Sequence, residues 1–214
     1  MTGSGRHLPQ FLLTAVILIL LNGCADPVSF KKIPAGSSVL AFGDSVTFGT
    51  GARPGEDYPS QLAAMTGWSI VNAGIPGDLA RDARYRLGGA LAEHQPELVL
   101  LWLGGNDFLR KRPPSDVRHD LRKMINEIRD SGAQVVLIAV PRLSLLRATV
   151  GALEDSSIYA QLAEEENIPL ISGAFSAVLS ESDLRADRVH PNAEGYRVLT
   201  EQFLAQLREM GIAP

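Results

Sequence analysis

The sequence has a single cysteine, no excess of positive charge and no apolar run long enough to cross a membrane as a helix. One cysteine in 214 residues excludes an internal disulfide, even in an oxidising compartment. Lysine and arginine number 20 against 24 acidic residues, for a net charge of -4. Nucleic acid is therefore not an expected partner, because no overall positive field attracts phosphates. The apolar run from Phe11 to Leu21 is about half of the roughly 20 residues that a spanning helix needs.

Two glycine signatures and a metal-binding cluster are also missing from the sequence. Nothing matches the phosphate-binding P-loop, and Gly49 with Gly51 lacks the third glycine of the dinucleotide fingerprint. No grouping of cysteine and histidine offers a metal site. We therefore expect neither a metal nor another cofactor.

The composition is that of one folded domain preceded by a targeting segment. Hydrophobic residues make up 45% and charged residues 21%, the balance of a globular protein. We expect the domain to cover residues 37–214, with residues 1–23 forming a secretory signal and residues 24–36 a short tether.

The end of the signal segment resembles the lipobox of bacterial lipoproteins, on the sequence Leu-Asn-Gly-Cys that ends at Cys24. This resemblance implies that Cys24 is lipidated after cleavage and anchors the chain to a membrane. It also implies a location in the bacterial envelope, facing the periplasm. Ala25, which follows the cysteine in place of aspartate, favours the outer membrane.

Short apolar runs alternate with helical periods along the rest of the chain. Runs covered on both faces are typical of a parallel sheet, and strict alternation predicts a three-layer α/β/α sandwich. The strands are expected at residues 39–42, 69–72, 98–103, 135–140 and 168–171, and the helices at 58–66, 78–94, 115–131, 156–167 and from 193 onward.

Three of the expected strands end in glycine-punctuated polar turns. Gly43-Asp44-Ser45 follows the first strand, residues 72–78 follow the second, and residues 104–107 follow the third. In an open parallel sheet, ligands bind at the carboxyl ends of the strands. We therefore expect a cleft there, lined with free backbone N–H groups.

Ser45 is a candidate nucleophile, which requires a base to accept its proton and a third group to orient that base. His190 lies in a loop with Asp187 three residues earlier, just before the last helix. That spacing allows one loop to supply both groups. By themselves, Asp187 and His190 are equally well explained as a helix cap.

At these residues the chain resembles the SGNH hydrolases, the GDSL-type esterases and lipases. The family's four blocks stand in order as FGDSVTFG, NAGIPGD, GGND and DRVHPN. Among its members, the chain is most similar to the thioesterase I, lysophospholipase L1 and arylesterase branch. The resemblance implies a flavodoxin-like fold with a five-stranded parallel sheet.

The resemblance also implies roles for the residues of the blocks. Ser45 would be the nucleophile, His190 the general base and acid, and Asp187 the group that orients the imidazole. The oxyanion would be held by the backbone N–H groups of Ser45 and Gly77 and by the side-chain amide of Asn106. The reaction implied is hydrolysis of carboxylic or thio esters, including aryl esters and lysophospholipids.

The substrate is less well defined by the sequence. Apolar residues near the expected cleft are what an acyl chain requires, although packing beneath a helix explains them equally well. These residues are Ile75, Leu79, Leu143 and Leu145. Two alternatives remain open: removal of O-acetyl groups from a polysaccharide, which other members of the family perform, and a non-catalytic envelope-binding protein that has kept the fold.

Overall fold

The computed structural model describes Met1, residues 30–142 and residues 153–214. Cys24, Leu143 and Leu145 lie outside the described residues, as does nearly all of the predicted signal segment. None of the helices in the described part of the chain is long and apolar enough to cross a bilayer.

The described residues form five strands and eight α-helices in alternation. The strands are β1 (Ser38–Gly43), β2 (Ser69–Gly74), β3 (Leu98–Trp102), β4 (Gln134–Ile138) and β5 (Leu170–Ile171). The helices are α1 (Ser45–Phe48), α2 (Tyr58–Thr66), α3 (Ala80–His94), α4 (Gly105–Leu109), α5 (Pro114–Asp130), α6 (Ser157–Glu166), α7 (Ala174–Ser180) and α8 (Ala193–Glu209), with a 3-10 turn at Ser182–Leu184.

The five strands form one parallel sheet in the order β2-β1-β3-β4-β5. This is the flavodoxin-like order, so the predicted α/β sandwich is confirmed. Every residue of β3 is buried, and β1 is buried from its second residue onward, because helices cover both faces of the sheet. The order reverses between β1 and β3, which opens a crevice at their carboxyl ends.

The apolar period of the sequence predicts that α5 packs through a face with Leu121 and Met124, and α8 through a face with Leu199 and Phe203. Leu121 and Met124 of α5 and Leu199 and Phe203 of α8 are fully buried. For α5 the sequence predicts Ser115 or Asp116 as the N-cap, and this prediction is wrong: the helix begins at Pro114, with Pro113 at the N-cap position. Proline is well suited to a first turn because its missing N–H has no helical acceptor there.

Part of the segment assigned to the tether is packed on the domain. The Ile33 side chain is fully buried, and its N–H donates to the Ile212 carbonyl at 2.9 Å. The Gly36 N–H donates to the Gly67 carbonyl at 2.8 Å. The packed structure therefore includes Ile33, four residues before the predicted start of the domain at Ser37.

Candidate active site

The end of β1 presents Ser45 at the start of a four-residue helix. Asp44 is the N-cap of α1, and its carboxylate accepts the Val46 N–H at 3.1 Å. Gly43 allows this turn to form: a Cβ there would lie 2.7 Å from the Trp102 carbonyl oxygen of the neighbouring strand. Ser45 is thus fixed at the first position of α1, at the carboxyl edge of the sheet, and the residue is 9% exposed.

His190 reaches Ser45 from a short hairpin-like loop at the far end of the chain. Its Nε2 lies 2.9 Å from the Ser45 Oγ. The loop is closed by an isolated bridge between Arg185 and Pro191 and by the Ala186 N–H, which donates to the His190 carbonyl at 2.9 Å. Asn192 then caps α8 through the Gly195 N–H at 2.9 Å.

Asp187 lies on the opposite side of the imidazole from Ser45. Its Oδ2 is 2.7 Å from the His190 Nδ1, and its Oδ1 accepts the backbone N–H groups of Val189 and His190. Burial raises the pKa of the Asp187 carboxyl, but these hydrogen bonds outweigh it and hold the pKa below its usual value. Asp187 is therefore charged at neutral pH and favours the tautomer with the proton on Nδ1, which leaves Nε2 free to accept from Ser45.

Tyr196 ties the histidine loop to the serine turn. Its hydroxyl, carried by α8, lies within hydrogen-bond distance of the Val46 and Thr50 carbonyls, at 3.1 and 3.0 Å. Close approach at Gly51 adds to this contact, because a Cβ there would lie 2.2 Å from the Pro191 carbonyl oxygen. The 2.9 Å spacing of Ser45 and His190 is thus held by contacts on both sides of the pair.

The loop after β2 holds two glycines with different surroundings. The Gly74 N–H already donates to Asn72 Oδ1 at 3.0 Å, and a Cβ there would lie 2.2 Å from the Phe48 nitrogen. Gly77 has a φ of 86°, and no atom lies within 4 Å of where its Cβ would be. No hydrogen bond from the Gly77 N–H is found among the described residues, so this donor is available in the free protein.

Asn106 lies in α4, beside the serine turn and next to the Gly77 loop. Its side-chain nitrogen donates to the Asp44 carboxylate and to the Asp78 carbonyl, both at 3.1 Å. Both hydrogens of the amide are therefore engaged in the free protein. Binding an oxyanion would require one of these bonds to be shared or exchanged.

Asp44 is the most strongly perturbed carboxyl of the site. It is 7% exposed, and burial raises its pKa to about 6, despite the opposing effect of the hydrogen bond from the Val46 N–H. A buried charge is stable only when it is hydrogen-bonded. The bond between Asn106 and Asp44 therefore stabilises the Asp44 carboxylate and also orients the Asn106 amide. Among the described residues, no group of three or more His, Cys, Asp or Glu side chains could hold a metal ion.

A small apolar cavity of about 30 Å³ opens beside these groups. Asp44 and Asn106 border it, which places it next to the serine. Its remaining wall is largely apolar and includes Val46, Trp102, Leu109, Val140, Phe175 and Leu179. A larger hollow, of about 640 Å³, lies beside Lys31, Glu97 and Gln134 at the amino ends of β3 and β4, and Ser45 and His190 do not border it.

The structure places Ile75 and Leu79, the two predicted substrate residues that it describes, away from this cavity. Ile75 is 46% exposed, whereas Leu79 is 4% exposed and serves as the N-cap of α3. Neither lines the cavity. No sequence signal singles out Trp102 and Phe175, because one lies in β3 and the other in α7, and both resemble ordinary core positions until the fold brings them together.

Comparison with known proteins agrees with this geometry. The model of the GDSL-like Lipase/Acylhydrolase family matches residues 41–198. The chain is 30% identical to the thioesterase 1/protease 1/lysophospholipase L1 of Escherichia coli strain K12, with 84% of this chain and 87% of that protein covered. It is 33% identical to an arylesterase of Vibrio mimicus, over 91% of this chain and 96% of the relative.

A solved structure extends the likeness to three dimensions. The crystal structure of a protein named TesA superposes with a TM-score of 0.71 at 27% identity. The match covers 81% of this chain and 99% of that one. The likeness therefore extends over most of this chain and nearly all of the solved one.

Proposed function

The chain belongs to the GDSL-like lipase/acylhydrolase family of ester-hydrolysing SGNH enzymes, and from this we propose that it hydrolyses carboxylic and thio esters through an acyl-enzyme on Ser45. The observation that carries the proposal is the array of Ser45 Oγ, the His190 ring and the Asp187 carboxylate, with contacts of 2.9 and 2.7 Å. Such an array supplies a nucleophile, its base and the group that orients the base.

The first half of the reaction forms the acyl-enzyme. Ser45 Oγ bonds to the ester carbonyl carbon while its proton passes to His190 Nε2. The tetrahedral intermediate then collapses, and the alcohol or thiol leaves with the proton that the imidazolium returns. Asp187 stabilises the imidazolium through Nδ1 and remains ionised throughout.

The second half of the reaction hydrolyses the acyl-enzyme. A water gives its proton to His190 Nε2 as its oxygen bonds to the acyl carbon, and the proton then returns to Ser45 Oγ as the acid departs. Both halves pass through an oxyanion, for which we propose the backbone N–H groups of Ser45 and Gly77 and the Asn106 amide as donors. The free Gly77 N–H supports this assignment over Gly74, whose N–H is already bound by Asn72.

The first candidate substrate is an ester with an apolar acyl group, such as an aryl ester, an acyl thioester or a lysophospholipid. The relatives from Escherichia coli and Vibrio mimicus carry names of these activities. The apolar wall beside Asn106 supports the same class, because moving an acyl chain from water onto such a surface is favourable. Anchoring through Cys24 and an envelope location stay predictions from the sequence alone.

A second candidate is removal of acetyl groups from a carbohydrate, and the size of the cavity favours it. A cavity of about 30 Å³ is closer in size to an acetyl group than to an octanoyl chain. The two candidates share the chemistry at Ser45 and differ only in the acyl group and the alcohol.

Covalent labelling tests the proposed chemistry. We expect a fluorophosphonate probe to label the native protein at one site, the tryptic peptide that contains Ser45, as located by mass spectrometry. The expected cause is activation of the Ser45 hydroxyl by His190. Labelling of the native protein elsewhere, or undiminished labelling of Ser45→Ala, would contradict the proposal.

A chain-length series separates the two substrate candidates. The first candidate predicts that kcat/KM for nitrophenyl esters rises from acetate to hexanoate by about tenfold or more, because each buried methylene contributes about 0.8 kcal/mol. Leu109→Ala is the matched variant: Leu109 borders the cavity and is half exposed, so its loss should flatten the series without unfolding the protein. A preference for acetate over all longer esters would favour the deacetylase instead.

A further inference from the structure

The Arg86 guanidinium of α3 donates hydrogen bonds to three groups beside the candidate active site. Its Nη2 donates to the Gly43 carbonyl at 2.8 Å, its Nη1 to the Ala73 carbonyl at 2.9 Å, and its Nε to the Asp78 carboxylate at 2.7 Å. We propose that Arg86 is a positioning residue that holds the three oxyanion-donor segments in register. This inference rests on the proposed function, since it assumes that Ser45, Gly77 and Asn106 are the donors.

The bond to Gly43 acts on the serine turn. Gly43 is the last residue of β1, and its carbonyl also accepts the Ile75 N–H at 3.1 Å. Arg86 therefore joins the end of β1 to the start of the loop that carries Gly77. The Ser45 N–H lies two residues beyond this junction, so displacement of Gly43 would displace the first donor.

The bond to Asp78 acts on the other two donors. Asp78 directly follows Gly77, and its carbonyl accepts one hydrogen of the Asn106 amide at 3.1 Å. The carboxylate of the same residue is held by Arg86. Loss of the guanidinium would thus free the Gly77 peptide and remove the support beneath the Asn106 amide together.

The environment of Arg86 differs from that of a surface ion pair. The Arg86 and Asp78 side chains are 24% and 17% exposed, and the guanidinium carbon lies 4.0 Å from the centre of the Phe42 ring. A planar fork with five N–H donors can reach three acceptors at fixed angles, whereas the ammonium of lysine is a single point charge. Arginine is therefore suited to this position in a way that lysine is not.

Arg84 provides a matched control on the same helix. It lies two residues away, has a side chain 28% exposed, and donates to Asp120 at 2.8 Å. None of its hydrogen bonds in the described residues reaches Gly43, Ala73 or Asp78. Arg84→Gln therefore removes the same charge and a similar ion pair from α3 without touching the donor segments.

Steady-state kinetics with a nitrophenyl ester test the inference. We expect Arg86→Gln to lower kcat by about 10- to 100-fold, with KM within about threefold of native, since a misplacement of about 1 Å in an active site costs on the order of 100-fold. Arg86→Lys should recover part of the loss, and Arg84→Gln should stay within about twofold of native. Equal kcat values for Arg86→Gln and Arg84→Gln would overturn the inference.

A double-mutant cycle with Asn106→Ala distinguishes positioning from general damage. If Arg86 acts through the Asn106 amide, its loss should matter much less once that amide is gone, and the two effects should fall clearly short of multiplying. Combining Arg84→Gln with Asn106→Ala should give the product of the single effects. Full multiplication in the Arg86 cycle would overturn the inference as stated, because Arg86 would then not act through the Asn106 amide.

Two further measurements keep the test decisive. If Arg86→Gln does not fold, Asp78→Asn weakens one of the three contacts and should lower kcat by about threefold to tenfold by the same displacement, and an unchanged kcat would count against the inference. Native protein that neither hydrolyses the ester nor takes the fluorophosphonate label at Ser45 would refute the proposed function. If the native protein is active and labelled at Ser45 but substitution of Arg86 leaves kcat unchanged, this inference alone is refuted.

Discussion

Replacing Ser45 with alanine is expected to lower kcat for ester hydrolysis by on the order of 10⁵-fold or more. Among the described residues, the Ser45 hydroxyl is the one nucleophilic group within hydrogen-bond distance of His190 Nε2, at 2.9 Å. Without it no acyl-enzyme forms, and only direct attack by water, aided by the oxyanion donors, remains. Initial rates with a nitrophenyl ester, measured on protein made free of native enzyme, give the residual activity.

The fold should survive this substitution. The helix start at Ser45 is capped by Asp44, not by the serine itself, and alanine is a good helix former. We therefore expect Tm to stay within about 4 °C of native. Ser131→Ala is the matched control, since the Ser131 hydroxyl donates to Ile128 at the end of α5, and it should retain full activity. More than about 1% residual activity in Ser45→Ala would contradict a nucleophilic role.

The sheet was predictable because its signals are local. Val39–Phe42 and Leu98–Trp102 are continuous apolar runs, and the structure buries both within a parallel sheet. Helix α2 was expected over the range that it occupies, Tyr58–Thr66. Helices α1, α4 and α7 were not expected, because segments of four to seven residues are too short to show a helical period.

The histidine and serine were also predictable as a pair, although 145 positions separate them. Each residue lies in a turn next to a strand or helix whose position the fold class determines. The two turns were therefore expected to meet, which favoured a catalytic pair over the interpretation of Asp187 and His190 as a helix cap. Their catalytic roles stay predictions that the kinetics above would test. The structure adds that Asn192, not Asp187, caps α8.

The contacts that hold the site residues in place could not be predicted, because nothing in the local sequence around their partners indicates that they meet. In the sequence, Arg112 stands beside Arg110 and Lys111 in a basic cluster, a pattern that indicates a solvated loop or a contact for anionic head groups. In the structure its side chain is 18% exposed and paired with Asp107 and Asp120. Arg86 likewise looked like one of several polar positions on α3. Partners such as the Gly43 and Ala73 carbonyls have no signature in a sequence.

Loss of the Asn106 side chain is expected to lower kcat by about 100- to 1000-fold. Its amide bridges the Asp44 carboxylate and the Asp78 carbonyl, so it is held in place before an ester binds. Sharing or exchanging one of these bonds lets it donate to the charge that develops in the transition state. The measurement is kcat and KM of Asn106→Ala with a nitrophenyl ester, together with its thermal unfolding.

Asn167→Ala is the control for the general effect of removing an asparagine. Asn167 ends α6 in the left-handed conformation, with a φ of 52°, which asparagine tolerates better than alanine. That variant should lose stability and keep kcat, whereas Asn106→Ala should lose kcat at nearly constant KM. A fall in kcat without a rise in KM is what the loss of an interaction made only in the transition state produces. The reverse result, a raised KM with kcat intact, would assign the Asn106 amide to binding the ground-state ester and leave Ser45 and Gly77 as the oxyanion donors.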